Sequence, residues 1–124
     1  MVNSYLKQAA SDVWRAAGQA YKEVREIQLL IDDTKRNMTN QAQNLRQQKQ
    51  AAQLAATHQR DSQAARAALL RQAQELENQA VRTEQEMGRR ITQLSRSINL
   101  KENLRQGLES QARSLERQAS SWAG

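Results

Sequence analysis

The single histidine, His58, is the first residue to consider for chemistry at neutral pH. It lies in a polar segment near the middle of the 124-residue chain, and an alanine rather than a carboxylate stands three positions before it. Helical bundles build di-iron sites from Glu-x-x-His pairs, and zinc sites need several histidine or cysteine ligands. Because the chain has no cysteine, the sequence predicts no metal site, and His58 is interpreted as an exposed turn residue.

Acidic residues occur in close pairs, a pattern that general acid–base sites also use. Side chains one or two positions apart on a helix point in different directions, so none of these pairs is preset for catalysis. The serines lack a base and a glycine-rich elbow, and the glycine spacing does not fit a phosphate-binding loop. We therefore expect no enzymatic activity and no cofactor. The pairs are Asp32 and Asp33, Glu75 and Glu77, and Glu84 and Glu86.

Arginines form the only extended line of like charge. Arg82, Arg89 and Arg96 repeat at seven-residue spacing, with Arg90 beside them, so one helix face could follow a line of phosphates. Glutamates interrupt the line, and no aromatic side chain is interleaved for base stacking. The favoured interpretation is a solvated helix face, with contact to nucleic acid as the alternative function.

Composition favours long helices. Ala, Gln, Arg, Glu and Leu dominate, proline is absent and glycine occurs only four times. These are strong helix formers, while the β-branched and aromatic runs of a sheet are missing. The predicted fold class is all-α.

Charge and hydropathy restrict the compartment and the partners. The formal net charge of +6 is spread over both halves of the chain and is lower than expected for a committed nucleic-acid binder. No apolar run approaches the roughly 20 residues that span a bilayer, and the N-terminus lacks the apolar core of a signal peptide. We expect a soluble protein without a transmembrane segment, located in the cytoplasm or within a protein assembly.

A seven-residue repeat runs through almost the whole chain. With its first positions called a, the positions three residues later are d, and this 3-4 spacing of mostly apolar residues is typical of helices that pack along a stripe. The stripe is densest from Leu6 to Ile31 and again from Leu69 to Trp122. Between them, over 37–56, the stripe residues shrink to Met38, Leu45, Ala52 and Ala55, and the d positions Gln41 and Gln48 are polar. The a positions are Ala10, Ala17, Val24, Ile31, Met38, Leu45, Ala52, Gln59, Arg66, Ala73, Ala80, Met87, Leu94, Lys101, Leu108, Leu115 and Trp122.

Residues 57–63 are all polar and interrupt the apolar stripe at the midpoint of the chain. Thr57, Asp61 and Ser62 are each plausible helix caps, so the interruption predicts a turn. The resulting fold is a single helical domain over 1–124, an elongated antiparallel hairpin or coiled coil with arms at about 4–56 and 64–122. Two alternatives stay open: an unbroken rod, and a third helix that begins at the capping-box-like segment 83–86.

The helix starts are less well marked. Asn3 or Ser4 is a candidate cap for the first helix, and Ser11 with Asp12 could cap a later start after a short N-terminal arm.

The apolar stripe is too wide for a narrow two-stranded seam. Trp14 and Tyr21 lie on one flank of the a/d stripe and Leu30 on the other, and the g positions lack the Glu/Lys code of a parallel zipper. Both features favour a hairpin that assembles into a helical bundle. Association of residues 5–25 with a membrane surface is a weaker alternative, because the opposite side of that helix is close to neutral.

The predicted function is that of a non-enzymatic structural or adaptor coiled-coil protein, which self-assembles or binds partner helices. Trp122, near the C-terminus, is expected either to cap the packed stripe or to enter a pocket on a partner. The predicted interface comprises Leu6, Val13, Trp14, Tyr21, Val24, Ile27, Ile31, Leu69, Leu76, Met87, Ile91, Leu94, Ile98, Leu108, Leu115 and Trp122.

Overall fold

Two long helices joined by a short turn make up the fold. A computed structural model describes the backbone of residues 2–123 and the side chains of residues 3–121. Helix α1 spans Val2–Thr57 and helix α2 spans Gln63–Ala123, and the described residues contain no strand. The helices pack against each other in antiparallel order. The predicted all-α class and hairpin are confirmed, and the unbroken rod is wrong.

The helix starts differ in detail from the candidate caps. Helix α1 begins at Val2, so Ser4 lies inside its first turn, and the helix runs without a break through Ser11. Helix α2 is equally continuous past the proposed third start. The Thr83 hydroxyl donates to the carbonyl of Gln79 at 2.9 Å, a bond made inside a helix rather than at its start. The three-helix alternative is therefore wrong.

Ser62 is the cap of α2 among the three candidates in the polar segment. Its hydroxyl oxygen accepts from the backbone N–H of Ala65 at 3.1 Å, and its carbonyl accepts from the N–H of Arg66 at 3.1 Å. The first contact satisfies an amide that has no partner within the helix, and the second is the first turn's own hydrogen bond. The Thr57 hydroxyl serves the other side of the turn, where it donates to the carbonyl of Leu54 at 2.6 Å.

The turn needs neither glycine nor proline. The N–H groups of His58 and Gln59 donate to the carbonyls of Ala55 and Ala56 at 3.1 and 3.2 Å, which tightens the end of α1. The Arg66 guanidinium then donates to the carbonyl of Gln59 at 3.3 Å. No residue in the described part of the chain has a positive φ angle, so the conformations that favour glycine are not required here.

Replacement of Ser62 by alanine should destabilise the hairpin by about 1 kcal/mol, because the N–H of Ala65 loses its acceptor. Urea unfolding followed by circular dichroism measures this change. Ser110, an exposed residue within α2, is the matched control. Its replacement by alanine should leave stability unchanged or slightly raised, since alanine is the better helix former. Equal losses in the two variants would contradict the capping role.

The chain divides into two compact units, and each contains segments of both helices. Unit 1 consists of Met1–Leu30 with Gln93–Gly124, and unit 2 consists of Ile31–Thr92, which includes the turn. Each unit has its own packed seam between α1 and α2. That the two units behave as one domain stays a prediction.

Alanine fills the centre of both seams. Except for Val24, every buried hydrophobic residue among those described is an alanine. Small side chains let two helices approach closely, but each buries little apolar area. The hairpin therefore gains close backbone packing at the expense of hydrophobic burial. The alanines are Ala10, Ala17, Ala20, Ala112 and Ala119 in unit 1, and Ala42, Ala52, Ala56, Ala73 and Ala80 in unit 2.

The packed face of each helix shifts by one position within unit 2. Along α1, the residues that face the seam are separated alternately by three and by four positions. Thr34, Met38 and Ala42 break this alternation, because two consecutive spacings of four separate them. Two such steps move the contact stripe from a and d to a and e. The d residues that follow, Gln41 and Gln48, are consequently exposed. Their predicted place on the packed stripe is wrong.

Helix α2 makes the same shift at the matching level. Its half-buried residues Thr83, Met87 and Ile91 also stand at two successive steps of four, and Arg90, at the next d position, is exposed. The Thr39 hydroxyl lies 3.7 Å from the Met87 sulfur, which places the two shifts opposite each other. The glutamines and arginine at d thus cause no defect in the core, because the core has moved to e.

Candidate interaction surface

Most of the large apolar side chains predicted to form an interface are only partly buried by the hairpin. Val24 is buried and Tyr21 is exposed, while the side chain of Trp122 lies outside the described residues, so its two predicted roles remain predictions. The other members are half-buried. They are Leu6, Val13, Trp14, Ile27, Ile31, Leu69, Leu76, Met87, Ile91, Leu94, Ile98, Leu108 and Leu115.

One edge of unit 1 combines aromatic rings from α1 with charged side chains from α2. The Trp14 indole N–H donates to the Glu116 carboxylate, and the Arg113 guanidinium carbon lies 5.9 Å from the centroid of the Trp14 ring. The Arg105 guanidinium carbon lies 5.4 Å from the Tyr21 centroid. A cation over the face of an aromatic ring is attracted to it. We call Trp14, Tyr21, Arg105, Arg113 and Glu116 the aromatic edge.

Carboxylates on α2 hold the cation over Tyr21 in place. The Arg105 guanidinium pairs with Glu102 at 2.7 Å and with Glu109 at 3.5 Å. The hydrogen bond that Arg105 donates to Glu102 is the main reason that the pKa of Arg105 lies above its usual range. This part of the aromatic edge already has its charges satisfied within the chain.

The opposite edge of unit 1 is apolar and open. Leu30, Leu100 and Leu104 are 51%, 72% and 55% exposed, and we call these three residues the leucine edge. Leu100 and Leu104 stand two residues before and two residues after Glu102. At about 100° per residue, that spacing places both on the side of α2 opposite to Glu102. The leucines therefore face away from the charged side chains of the aromatic edge.

A shallow groove runs beside the leucine edge, lined by Ile27 and Leu30 with Glu23, Glu26 and Lys101. The Lys101 ammonium donates to the Glu23 carboxylate at 2.6 Å. This bond, with a second one from Gln19, lowers the pKa of Glu23 below its usual value. The charge of Lys101, which stands at an a position, is thus neutralised by its neighbour across the seam.

Leu30 and Leu100 lie on the g flank of the predicted a/d stripe, and neither they nor Leu104 belong to the predicted interface. Leu104 stands at a d position, and the repeat alone would place it inside the packed stripe. Ile91 and Ile98 indicate that Leu104 lies outside the packed stripe, because they make e the apolar position in this part of α2. Once the stripe runs through a and e, a leucine at d faces outward.

Unit 2 contains a network of four charged side chains between α1 and α2. The Arg46 guanidinium contacts Glu84 at 2.5 Å and Glu77 at 3.4 Å, and the Lys49 ammonium contacts Glu77 at 3.1 Å. Hydrogen bonds from Lys49 and then from Arg46 lower the pKa of Glu77, and Arg46 lowers the pKa of Glu84. The network pairs each carboxylate with a cation from the other helix.

These ion pairs predict that the hairpin loses stability in acid. A carboxylate with a lowered pKa stabilises the fold above its unfolded pKa, and this contribution disappears as the pH falls through its folded pKa. Glu23, Glu77 and Glu84 all meet this condition. We expect Tm to fall steadily below about pH 4.5, near the ordinary carboxylate range.

The Glu77→Gln variant tests the contribution of the network. It should have a lower Tm than the parent chain at pH 7, and the difference should shrink as the pH approaches 3 and the parent carboxylates become protonated. Glu75, which is exposed and forms no ion pair among the described residues, gives the control variant Glu75→Gln. A pH-independent difference for Glu77→Gln would contradict the electrostatic explanation. Thermal melts followed by circular dichroism measure these changes.

A neighbouring glutamate neutralises part of the positive charge along the arginine line. Glu86 pairs with Arg89 at 3.7 Å and with Arg90 at 3.2 Å, and all four arginines are exposed. Arg96 belongs to unit 1 and the other three arginines to unit 2. Contact of this line with nucleic acid stays a prediction.

No cluster suited to chemistry is evident within residues 3–121. His58 is exposed in the turn, and the described residues contain no group of three or more His, Asp or Glu side chains placed to hold a metal ion. None of the described helices has an apolar stretch long enough to cross a membrane. The features of the surface that stand out are therefore its two contrasting edges.

Comparisons with known proteins returned no match: no family model, no curated protein and no solved structure is significantly similar to this chain. A functional proposal for the chain must therefore come from its own surface.

Proposed function

We propose that this protein is a non-enzymatic structural or adaptor protein that assembles through its helices, with copies of itself or with partner helices. The observation that carries the proposal is that the residues buried between the helices are small, whereas the large apolar side chains stay partly or fully exposed. Alanines and Val24 occupy the buried positions among the described residues, while the leucine edge is exposed and most other large apolar side chains are only half-buried. An apolar stripe this wide is typical of helices that have more than one neighbour.

The free energy gained on burial is smaller for alanine than for leucine, and this difference supports the proposal. Burial contributes about 0.8 kcal/mol per CH₂ group, and full burial of a leucine contributes about 1.5–3 kcal/mol. An alanine offers a single methyl group, so the buried seam uses the smallest apolar side chains of the chain. Most of the hydrophobic free energy available from the leucines would be gained only when another helix covers them.

Sedimentation and multi-angle light scattering test the proposal. We expect the mass to rise above 14.1 kDa and to reach a multiple of it as the protein concentration increases from low to high micromolar. Circular dichroism on the same samples establishes that the chain is helical. A folded, monodisperse monomer at high micromolar concentration would contradict self-assembly.

A mixing experiment extends the test to helical partners if the chain alone is monomeric. A designed amphipathic helix with leucines on one face serves as the probe, and its polar counterpart, with serine in place of leucine, serves as the control. Binding of the first peptide alone supports the adaptor form of the proposal. No binding by a monomeric chain would overturn both forms.

Nucleic-acid binding is the alternative function, and the exposure of Arg82 and Arg96 is the observation that favours it. Titration with duplex DNA at about 50 mM and about 200 mM salt provides the test, because phosphate contacts must weaken steeply as salt rises. Replacement of Arg82 and Arg96 by glutamine should then weaken binding further. Lack of binding at the lower salt concentration would exclude this alternative.

A further inference from the structure

We propose that the leucine edge of unit 1 is a docking surface for a second copy of this chain, with Leu30, Leu100 and Leu104 at the centre of the contact. This inference rests on the proposed function and adds to it the location of the interface and the identity of the partner. The contrast between the two edges of unit 1 and the charge balance beside the leucine edge support it.

The two edges of unit 1 differ in what a partner would have to displace. On the aromatic edge, Trp14 and Tyr21 are already engaged by Glu116, Arg113 and Arg105. A partner at that edge would have to remove water from several charged groups, which is costly. On the leucine edge the exposed side chains are apolar, so a partner would cover surface that gains free energy on leaving water.

Charge balance favours a second copy as the occupant. In a two-fold contact the same patch meets itself, so a patch with a large net charge would repel its own copy. Beside the leucine edge, Lys101 and Glu23 neutralise each other at 2.6 Å. Glu26 is the one further charged side chain that lines the groove. The patch can therefore meet its copy with little like-charge repulsion, even though the whole chain carries a formal charge of +6.

The geometry of the surface agrees with this arrangement. Two antiparallel hairpins that pack edge against edge form a four-helix bundle, in which rim residues of each pair become core residues. Ile27, which is half-buried and lines the groove beside the leucine edge, would then be covered together with the leucines.

The central experiment replaces leucine by glutamate inside and outside the proposed contact. The Leu100→Glu/Leu104→Glu variant places carboxylates at the proposed contact. Leu29→Glu is the matched control, because Leu29 is 62% exposed and lies next to the leucine edge but on another face of α1. Sedimentation equilibrium gives the dissociation constant of each variant, and circular dichroism gives its helical content.

We expect the parent chain to form a dimer and the double variant to dissociate at least about 100-fold more readily, since two central contacts are lost. The dissociation constant of Leu29→Glu should stay within about twofold of the parent value. An assembled parent chain whose mass is insensitive to Leu100→Glu/Leu104→Glu would overturn the leucine edge as the interface and leave the proposed function standing. Equal weakening by Leu29→Glu would do the same. A monomeric parent chain would instead contradict self-assembly, and with it this inference.

A second measurement avoids variants that disturb the fold. The chain has no cysteine, so Leu104→Cys and Leu29→Cys each introduce a single thiol. Association should slow the reaction of Leu104→Cys with a maleimide as the protein concentration rises from low to high micromolar. The rate for Leu29→Cys should not change. A Leu104→Cys rate that is independent of concentration, in samples shown to be assembled, would overturn the proposal.

Discussion

Replacement of Ala80 by leucine should destabilise the hairpin by about 1–3 kcal/mol, although it adds apolar volume to an apolar seam. Ala80 is 0% exposed, so a larger side chain there has no free space and must push the two helices apart. Separation of the helices would also weaken the contacts of the neighbouring alanines, such as Ala73, because each depends on close approach. Urea unfolding at a fixed protein concentration measures the loss, since assembly makes stability depend on concentration.

Two control variants distinguish the effect of side-chain size from the effect of position in the helix. Ala80→Ser keeps a small side chain, and its hydroxyl can bond to the carbonyl one turn earlier, so its cost should stay below about 1 kcal/mol. Ala68→Leu adds the same volume at an exposed position of α2 and should be neutral. A stable Ala80→Leu variant would mean that the seam has room for larger residues, which would contradict an alanine-limited spacing.

Replacement of Val24 by aspartate should have the largest effect of the single substitutions considered, a loss of about 3 kcal/mol. Val24 is 2% exposed and is the one buried residue larger than alanine among those described. A carboxylate at this position would leave water without gaining a cation, because Lys101 is already paired with Glu23. The same seam would also lose the apolar contacts of the valine.

The near-isosteric variant Val24→Thr provides the control. Its hydroxyl can donate to the carbonyl of Ala20, one turn earlier in α1, so the cost of the polar group should be about 1 kcal/mol. The Val24→Asp variant should also recover stability at low pH, where its carboxyl group is neutral, in contrast to the acid lability of the parent chain. Equal stability of the aspartate and threonine variants at pH 7 would contradict the burial of this position. Denaturant melts at pH 7 and pH 3 measure both effects.

The turn is the feature that sequence could predict best. A loss of apolar residues over two helical turns leaves nothing to pack, and three polar residues there could each end or begin a helix. Which of them caps α2 depends on the local path of the chain, so only the structure distinguishes Ser62 from Asp61. The class and the hairpin followed from composition and from this single interruption, because both depend on local sequence.

The shift of the packed face was less predictable. A fixed seven-residue repeat placed Gln41 and Gln48 on the stripe, and the small residues beside them did not by themselves show that the stripe had moved. An apolar residue at e indicates that the packed face has shifted only when the residue at d is too polar to bury. Ile91 beside Arg90 meets that condition, while Ala42 beside Gln41 is a weaker signal because alanine is common on both faces.

Pairs between helices could not be predicted from the repeat. Lys101 and Glu23 are 78 positions apart, and Arg46 and Glu77 are 31 positions apart. Their meeting depends on the relative stagger of α1 and α2, and a change of one helical turn would give each residue another partner. The distinction between an aromatic edge and a leucine edge depends on this stagger as well, so it could be recognised only once the helices were placed.

The alanine seam also affects how stability responds to temperature. The heat-capacity change of unfolding comes mainly from apolar surface that becomes exposed, and ordinary domains have about 12–15 cal/mol/K per residue. A single hairpin whose buried residues are alanines and one valine should fall below that range, so its stability curve should be flat. If the leucines are covered only in an assembly, most of the curvature would belong to association, and cooling would separate the copies before it unfolded a chain.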